Sequence, residues 1–171
     1  MKKIFLTAIC MIGIFVFSVY GTDLEKQNKI SNSIIVVSSE FDEYIDDIKK
    51  IIPDFNRFGL KFGNDIQLLD THSKEIGLLH TAEKERKRME GFNGYINVAV
   101  ITRDGKIYGI VIGNNEETPR WIEKVRKAGF LKMWNGVTFE KAAKLKVDAV
   151  TGATYSSEAI RDEVQSIVSK K

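Results

Sequence analysis

Ile96-Asn97-Val98-Ala99-Val100-Ile101 is followed first by Asp104-Gly105 and then by Lys106-Ile107-Tyr108-Gly109-Ile110-Val111-Ile112. Ile96, Val98 and Val100 alternate with Asn97, Ala99 and Ile101, the two-residue period of a strand whose side chains point to opposite faces. Both sets are largely apolar, so the strand is expected between two packed layers. Asp-Gly suits a tight primed turn, in which both central residues take positive φ. The residues after it supply the return strand. This hairpin is expected in the middle of an antiparallel sheet.

Outward from the hairpin the periodicity changes. Between Ser39 and Phe55, the apolar positions Phe41, Tyr44, Ile45, Ile48, Ile51 and Ile52 recur at three- and four-residue spacing, an amphipathic helix ended by Pro53. The acidic pairs Asp42-Glu43 and Asp46-Asp47 are expected on its solvated face. Gly59, Gly63 and Asn64 punctuate a turn region, and Ile66–Leu69 and Glu75–Leu79, separated by Asp70-Thr71-His72-Ser73, suggest a second hairpin. On the C-terminal side, Arg120 to Phe130 brings Trp121, Ile122, Val125 and Phe130 near one another on a helical face. Thr138 is placed to cap a short helix through Leu145. A last helix from Thr154 to Ser169 carries the stripe Ile160, Val164, Ile167 and Val168. The order helix, strands, helices indicates an α+β fold with an antiparallel central sheet flanked by helices, and not a doubly wound sheet.

Length and composition fit one modest domain plus a terminal appendage. The chain has 171 residues, 43% hydrophobic and 29% charged, which disfavours disorder, collagen and coiled coil. The appendage is residues 1–21: Lys2 and Lys3 precede an uncharged run from Ile4 to Tyr20, and Val19 and Gly21 suit a cleavage site. This is the layout of a secretory signal peptide, and its apolar length also borders on that of a membrane anchor. Either way the domain is expected to be exported, to the periplasm or the outer face of the cytoplasmic membrane. Residues 22–90 then form the N-terminal helix-and-hairpin part and residues 91–171 the core. Bulky Ile9 before Cys10 argues against a lipoprotein. Cys10 is the only cysteine, so the mature chain would lack disulfides, iron–sulfur ligands and a thiol nucleophile.

Of the net charge of +3, two units belong to Lys2 and Lys3. The cluster Lys84-Glu85-Arg86-Lys87-Arg88 is interleaved with acids and reads as a solvated face, so nucleic acid is not expected as a partner. His72 and His80 lack any carboxylate or cysteine pattern of metal-ligand spacing. No nucleophile elbow, P-loop or dinucleotide fingerprint occurs, so no hydrolytic constellation emerges and direct use of NADH is not expected.

The most informative segment is Asp148-Ala149-Val150-Thr151-Gly152-Ala153-Thr154-Tyr155-Ser156-Ser157. A glycine-containing turn leads into a hydroxyl-rich helix start, where free N–H groups and the helix dipole favour an anion such as phosphate. Gly152 and Ala153 permit close approach to the backbone. The residues alone leave a plainer reading open, in which Thr154 or Ser156 caps the helix.

This segment resembles the flavinylation motif of the FMN-binding domain family, which includes the flavin-carrying G and C subunits of Rnf and sodium-pumping NADH:quinone reductase complexes. The motif pattern falls on Asp148, Ala149-Val150, Thr151, Gly152, Ala153, Thr154 and Ser156-Ser157. Gly91-Phe92-Asn93-Gly94-Tyr95 resembles the family's glycine–aromatic lead into its central strands. Asn115-Glu116-Glu117-Thr118-Pro119 resembles its Glu-Thr-Pro loop, although Arg120 stands where many relatives have glycine.

The resemblance implies that FMN is esterified through its phosphate to Thr154 by a flavin transferase using FAD. It also implies that Glu117 and Thr118 border the flavin. The aromatic and soft residues near the motifs, Trp121, Trp134, Tyr155, Phe130 and Met133, are expected to serve mainly as core. The function implied is an electron-transfer module for membrane or cell-envelope redox proteins, and not a stand-alone catalyst. Two alternatives are a flavin subunit of an envelope reductase acting on a soluble acceptor, and a flavin-free ligand-binding domain of the same fold.

Overall fold

The computed structural model describes residues 40–83 and 85–169; the leader or anchor expected over residues 1–21, with Cys10, lies outside them. After a 3-10 turn at Asp42–Tyr44 come α1 (Ile45–Ile51), β1 (Arg57–Phe62), β2 (Asp65–Leu69), β3 (Glu75–Thr81), β4 (Ile96–Arg103) and β5 (Lys106–Asn115). α2 (Pro119–Lys127), a 3-10 turn at Phe130–Lys132, α3 (Phe139–Lys144) and α4 (Thr154–Val168) follow. The strands form one antiparallel meander in the order β1-β2-β3-β4-β5, so the fold is α+β.

The alternation in β4 separates two cores as expected. Ile96, Val98 and Val100 face α2, α3 and α4, packing with Val125, Phe130, Trp134, Ala153, Ile160 and Val164. Ala99 and Ile101 point the other way, with Phe41, Tyr44, Ile48, Ile52, Leu68 and Val111. In β5, Ile110 and Ile112 join the first core and Val111 the second. Ile107 would fall on the wrong face by simple alternation. Ile101 pairs with Gly109 but Thr102 with Ile107, so Tyr108 is an extra residue that bulges and returns Ile107 to the first core. Asp104 (φ 51°) and Gly105 (φ 72°) form the turn with both residues at positive φ.

Three expectations need correction. The segment Gly59–Phe62 belongs to a strand, with the turn beginning only at Gly63. β1 is an edge strand, mostly exposed, so it carries none of the burial alternation by which strands are recognised. Within the described residues 40–55, the helix expected over Ser39–Phe55 is also interrupted and shorter. It opens as a 3-10 turn, and Ile52, the residue before Pro53, has already left the helix at φ −126°, ψ 87°, as the proline ring demands.

The third correction concerns the acidic pairs, which are not all solvated. Glu43 accepts hydrogen bonds from Asn97 Nδ2 (2.9 Å) and the Asn114 N–H (2.6 Å). Asp47 is buried and accepts from Arg126 (2.5 Å), Lys50 (2.9 Å) and the Ile112 N–H (3.2 Å), tying α1 to β5 and α2. Both carboxylates lie at the boundary between α1 and the sheet, where their partners come from distant sequence.

Burial by itself would raise the Asp47 carboxyl, but the donors of Arg126, Lys50 and Ile112 outweigh it and hold the group below the ordinary carboxylate range. A carboxyl depressed in the folded state contributes stability above its unfolded value near ~3.9 and loses it as pH falls through the folded value. We therefore expect Asp47→Asn to cost about 2–3 kcal/mol at neutral pH, less than a fully buried pair because Arg126 is partly solvated. Urea unfolding at pH 7 and at pH 3 checks this. The gap between the variant and the unsubstituted chain should narrow in acid, and a gap independent of pH would refute the assignment.

His80 takes a core role. It is buried, with Nδ1 2.7 Å from Asp65 Oδ1 and Nε2 2.7 Å from Thr102 Oγ1, and its ring is edge-on to Phe139. It thereby stitches β2, β3 and β4 together.

Candidate functional site

The site forms where three segments meet at the start of α4. The turn before the helix is closed by Ala153 N–H donating to Val150 O (2.9 Å), with Gly152 at φ +73°, a conformation that strains any residue with a side chain. The buried Ser157 hydroxyl locks this turn to the helix. It accepts from the Val150 N–H (2.9 Å) and lies 2.9 Å from the Ala153 carbonyl oxygen, to which it donates.

Thr154 is therefore the first helical residue, and its side chain is exposed. The helix N-cap is Ala153, and no side chain makes a capping bond. The capping reading of Thr154 and Ser156 does not hold. The first regular helix bond is Ser157 N–H to Ala153 O, so the N–H groups of Thr154, Tyr155 and Ser156 are left without intrahelical acceptors.

The second segment is the Glu-Thr-Pro loop. Thr118 is the N-cap residue of α2 and Pro119 its first residue, where a missing N–H costs nothing. Glu117 is buried, and its Oε1 accepts from Ser156 Oγ (3.1 Å) and from the Phe92 N–H. Its Oε2 is buried without a partner. Loop and motif, 39 residues apart in sequence, are thus joined by a direct bond.

The third segment, residues 85–95, is a strap across α4. Gly91 and Gly94 let it wrap the acidic loop: a Cβ at Gly91 would stand 2.0 Å from Glu117 Oε1. Asn93 Nδ2 donates to Thr118 Oγ1 (2.8 Å). Upstream, Arg86 pairs with Asp162 (2.9 Å) and Glu163 (3.0 Å). Arg88 bonds Glu163 (2.5 Å), Asn97 and the Ile96 carbonyl. The basic cluster is therefore not simply a solvated face, because Arg86 and Arg88 dock on acids of α4. Burial lowers the Arg86 guanidinium, and the bonds to Asp162 and Glu163 more than reverse that.

The strap delivers Phe92 to the motif. Its ring lies 6.4 Å from those of both Tyr155 and Trp121, and Arg120 stacks on Trp121 at 4.2 Å. Phe92 and Tyr155 are each 63% exposed, so two large apolar faces stand open beside Thr154. Trp134 and Phe130 are core, as expected, whereas Met133 is exposed. Asp148 and Thr151 are also exposed, and neither is bonded to the other motif residues.

Sequence reasoning did not single out Phe92 or Lys124. Lys124 reaches from α2 over Gly152, so that a Cβ placed there would lie 2.3 Å from its Nζ. Phe92 stood in the sequence only within the glycine–aromatic stretch, and it is the docking of the strap, with the packing of α2 on α4, that brings these groups to the motif.

Residues 91–169 match the family model described as an FMN-binding domain. A comparison with curated proteins gave no match. The site and the match define a flavin-binding module with FMN as its cofactor. The matched stretch, which supports a place in the FMN-binding domain family, runs from the strap before β4 to just past the end of α4.

The residues fit that group. Unsatisfied N–H groups and a lysine ammonium stand where a phosphate would be held. Open aromatic faces suit a flat ring, and the unpartnered Glu117 oxygen suits a ligand that brings hydroxyl or ring N–H donors.

Proposed function

We propose that the protein is an exported flavoprotein that carries FMN in phosphoester linkage to Thr154 and passes electrons between membrane-associated redox proteins. The observation that carries the reading is Thr154 itself: an exposed hydroxyl on the first residue of α4, not used as a cap, inside the stretch Asp148–Ser157 that resembles the flavinylation motif. Bound flavin supplies reversible electron acceptance and release. In attachment, Thr154 Oγ forms a bond to the FMN phosphorus of FAD while the pyrophosphate bond breaks, AMP leaves and the hydroxyl proton passes to the flavin transferase.

The chain's residues then divide the work. Phe92, Tyr155 and Trp121 would shield a bound ring from water, and Glu117, held by Ser156 and the Phe92 N–H, would accept a hydrogen bond from the cofactor. An ester bond also suits an exported carrier, since FMN held only by affinity would be diluted away outside the cytoplasm. The test is co-expression with a flavin transferase, followed by intact mass and peptide mapping. Mass added on the peptide containing Thr154 is the expected result, and mass added elsewhere, or none, overturns it.

A further inference from the structure

We propose that Lys124 is the cationic anchor for the cofactor's phosphate, a binding residue that makes this site prefer a phosphorylated flavin over one without phosphate. The inference rests on the reading of Thr154 as the attachment point.

The geometry begins with α2. Val125 and Ala153 belong to one core, which seats α2 against the start of α4. Lys124, beside Val125 and one turn beyond Trp121, is thereby carried over the turn that precedes Thr154. Its Nζ fills the space that Gly152 leaves, 2.3 Å from where a Cβ would be, with Cε at 3.4 Å. Among the described residues no carboxylate lies within 4.0 Å of that ammonium, and the neighbouring Glu123 is occupied by Lys127 at 2.6 Å.

A positive group pressed against the backbone, with no carboxylate to face, therefore adjoins three N–H groups of α4 that lack intrahelical acceptors. Glu117 gives an independent sign that a ligand belongs here: its carboxyl is 6% exposed, one oxygen bonds Ser156 in the same helical turn, and the other has no partner. A ligand satisfying both features must carry an anion at one point and hydrogen-bond donors at another. A phosphorylated polyol joined to a heteroaromatic ring does so. In the diester on Thr154 a single negative charge would remain, matched by the single charge of Lys124.

Titration of the full, unflavinylated chain with FMN and with riboflavin, followed by flavin fluorescence, separates the charge contact from contacts to the ring. We expect Lys124→Ala to weaken FMN binding about five- to ten-fold and riboflavin binding less than about two-fold, with Lys124→Glu worse for FMN and Lys124→Arg restoring it. Lys127→Ala, on the same helix, serves as the control for general charge and should leave the ratio unchanged. Equal losses for both ligands, no loss, or the same effect from Lys127→Ala would overturn the proposal. Because Lys124 is exposed, circular dichroism of each variant should match the unsubstituted chain. Transferase labelling of the unsubstituted chain is run in parallel. Failure of labelling at Thr154 removes the covalent reading, while the FMN-to-riboflavin ratio still decides the role of Lys124.

Discussion

Co-expressed with a flavin transferase, the Thr154→Ala chain is expected to emerge without covalent flavin and with a melting temperature within about 2 °C of the unsubstituted protein. The loss should be complete because the neighbouring serines of the helix cannot take over the role. Ser156 and Ser157, the nearest hydroxyls in the helix, are buried and already bonded to Glu117 and to the Ala153 carbonyl. Stability should be nearly unchanged for the complementary reason: the Thr154 side chain is exposed and makes no capping bond, so its removal breaks nothing in the fold. Thr154→Ser keeps a hydroxyl on the same backbone, primary in place of secondary, and should retain at least part of the label. In-gel flavin fluorescence after denaturation reads all three chains at once. A fluorescent Thr154→Ala band would end the assignment.

Removal of Glu163 is expected to have the largest effect on stability. This carboxylate is 3% exposed on α4; Arg88 hydrogen-bonds it from the strap and Arg86 stands beside it as an ion pair at 3.0 Å. Glu163→Ala would leave two guanidinium groups, themselves largely covered, facing a gap, a loss of about 3–4 kcal/mol or roughly 10 °C in melting temperature. Glu163 is also two turns along the same helix from Ser156, so the two residues fasten the strap and the Glu-Thr-Pro loop along one line. The variant should therefore bind flavin more weakly as well. Chemical denaturation with and without FMN measures both. A loss below about 1 kcal/mol would mean that the arginines are held by Asp162 and the backbone instead.

The parts of the fold legible in the sequence were those governed by short-range periodicity. The β4–β5 hairpin, with its Asp104-Gly105 turn, and the α4 stripe of Ile160, Val164 and Ile167 follow from spacing because one residue in two, or one in three to four, had to be buried. Thr138 also caps α3 as expected, accepting from the Lys141 N–H. β1 was not legible, since an edge strand with exposed Leu60 and Phe62 has no buried face to set a period. Buried charges were misjudged for a related reason. Asp47, Arg86 and Arg88 look like surface residues until partners 75 or more residues away, Arg126, Asp162 and Glu163, meet them. In the site, the motif marked Thr154 and the Glu-Thr-Pro loop marked Glu117. Phe92 and Lys124 enter only through the docking of the strap and of α2.

The match to the family begins at Gly91, yet β4 pairs with β3 through Leu78–Thr81, and Ala99, Ile101 and Val111 close their face of the sheet against Phe41, Tyr44 and Ile48. The matched segment thus shares its sheet and one of its cores with residues outside the match. Cut out at its own boundary, it would present a naked strand edge above an uncovered greasy surface, the two features that drive chains to aggregate. In the intact chain α1 and the three outer strands cover that edge and that face.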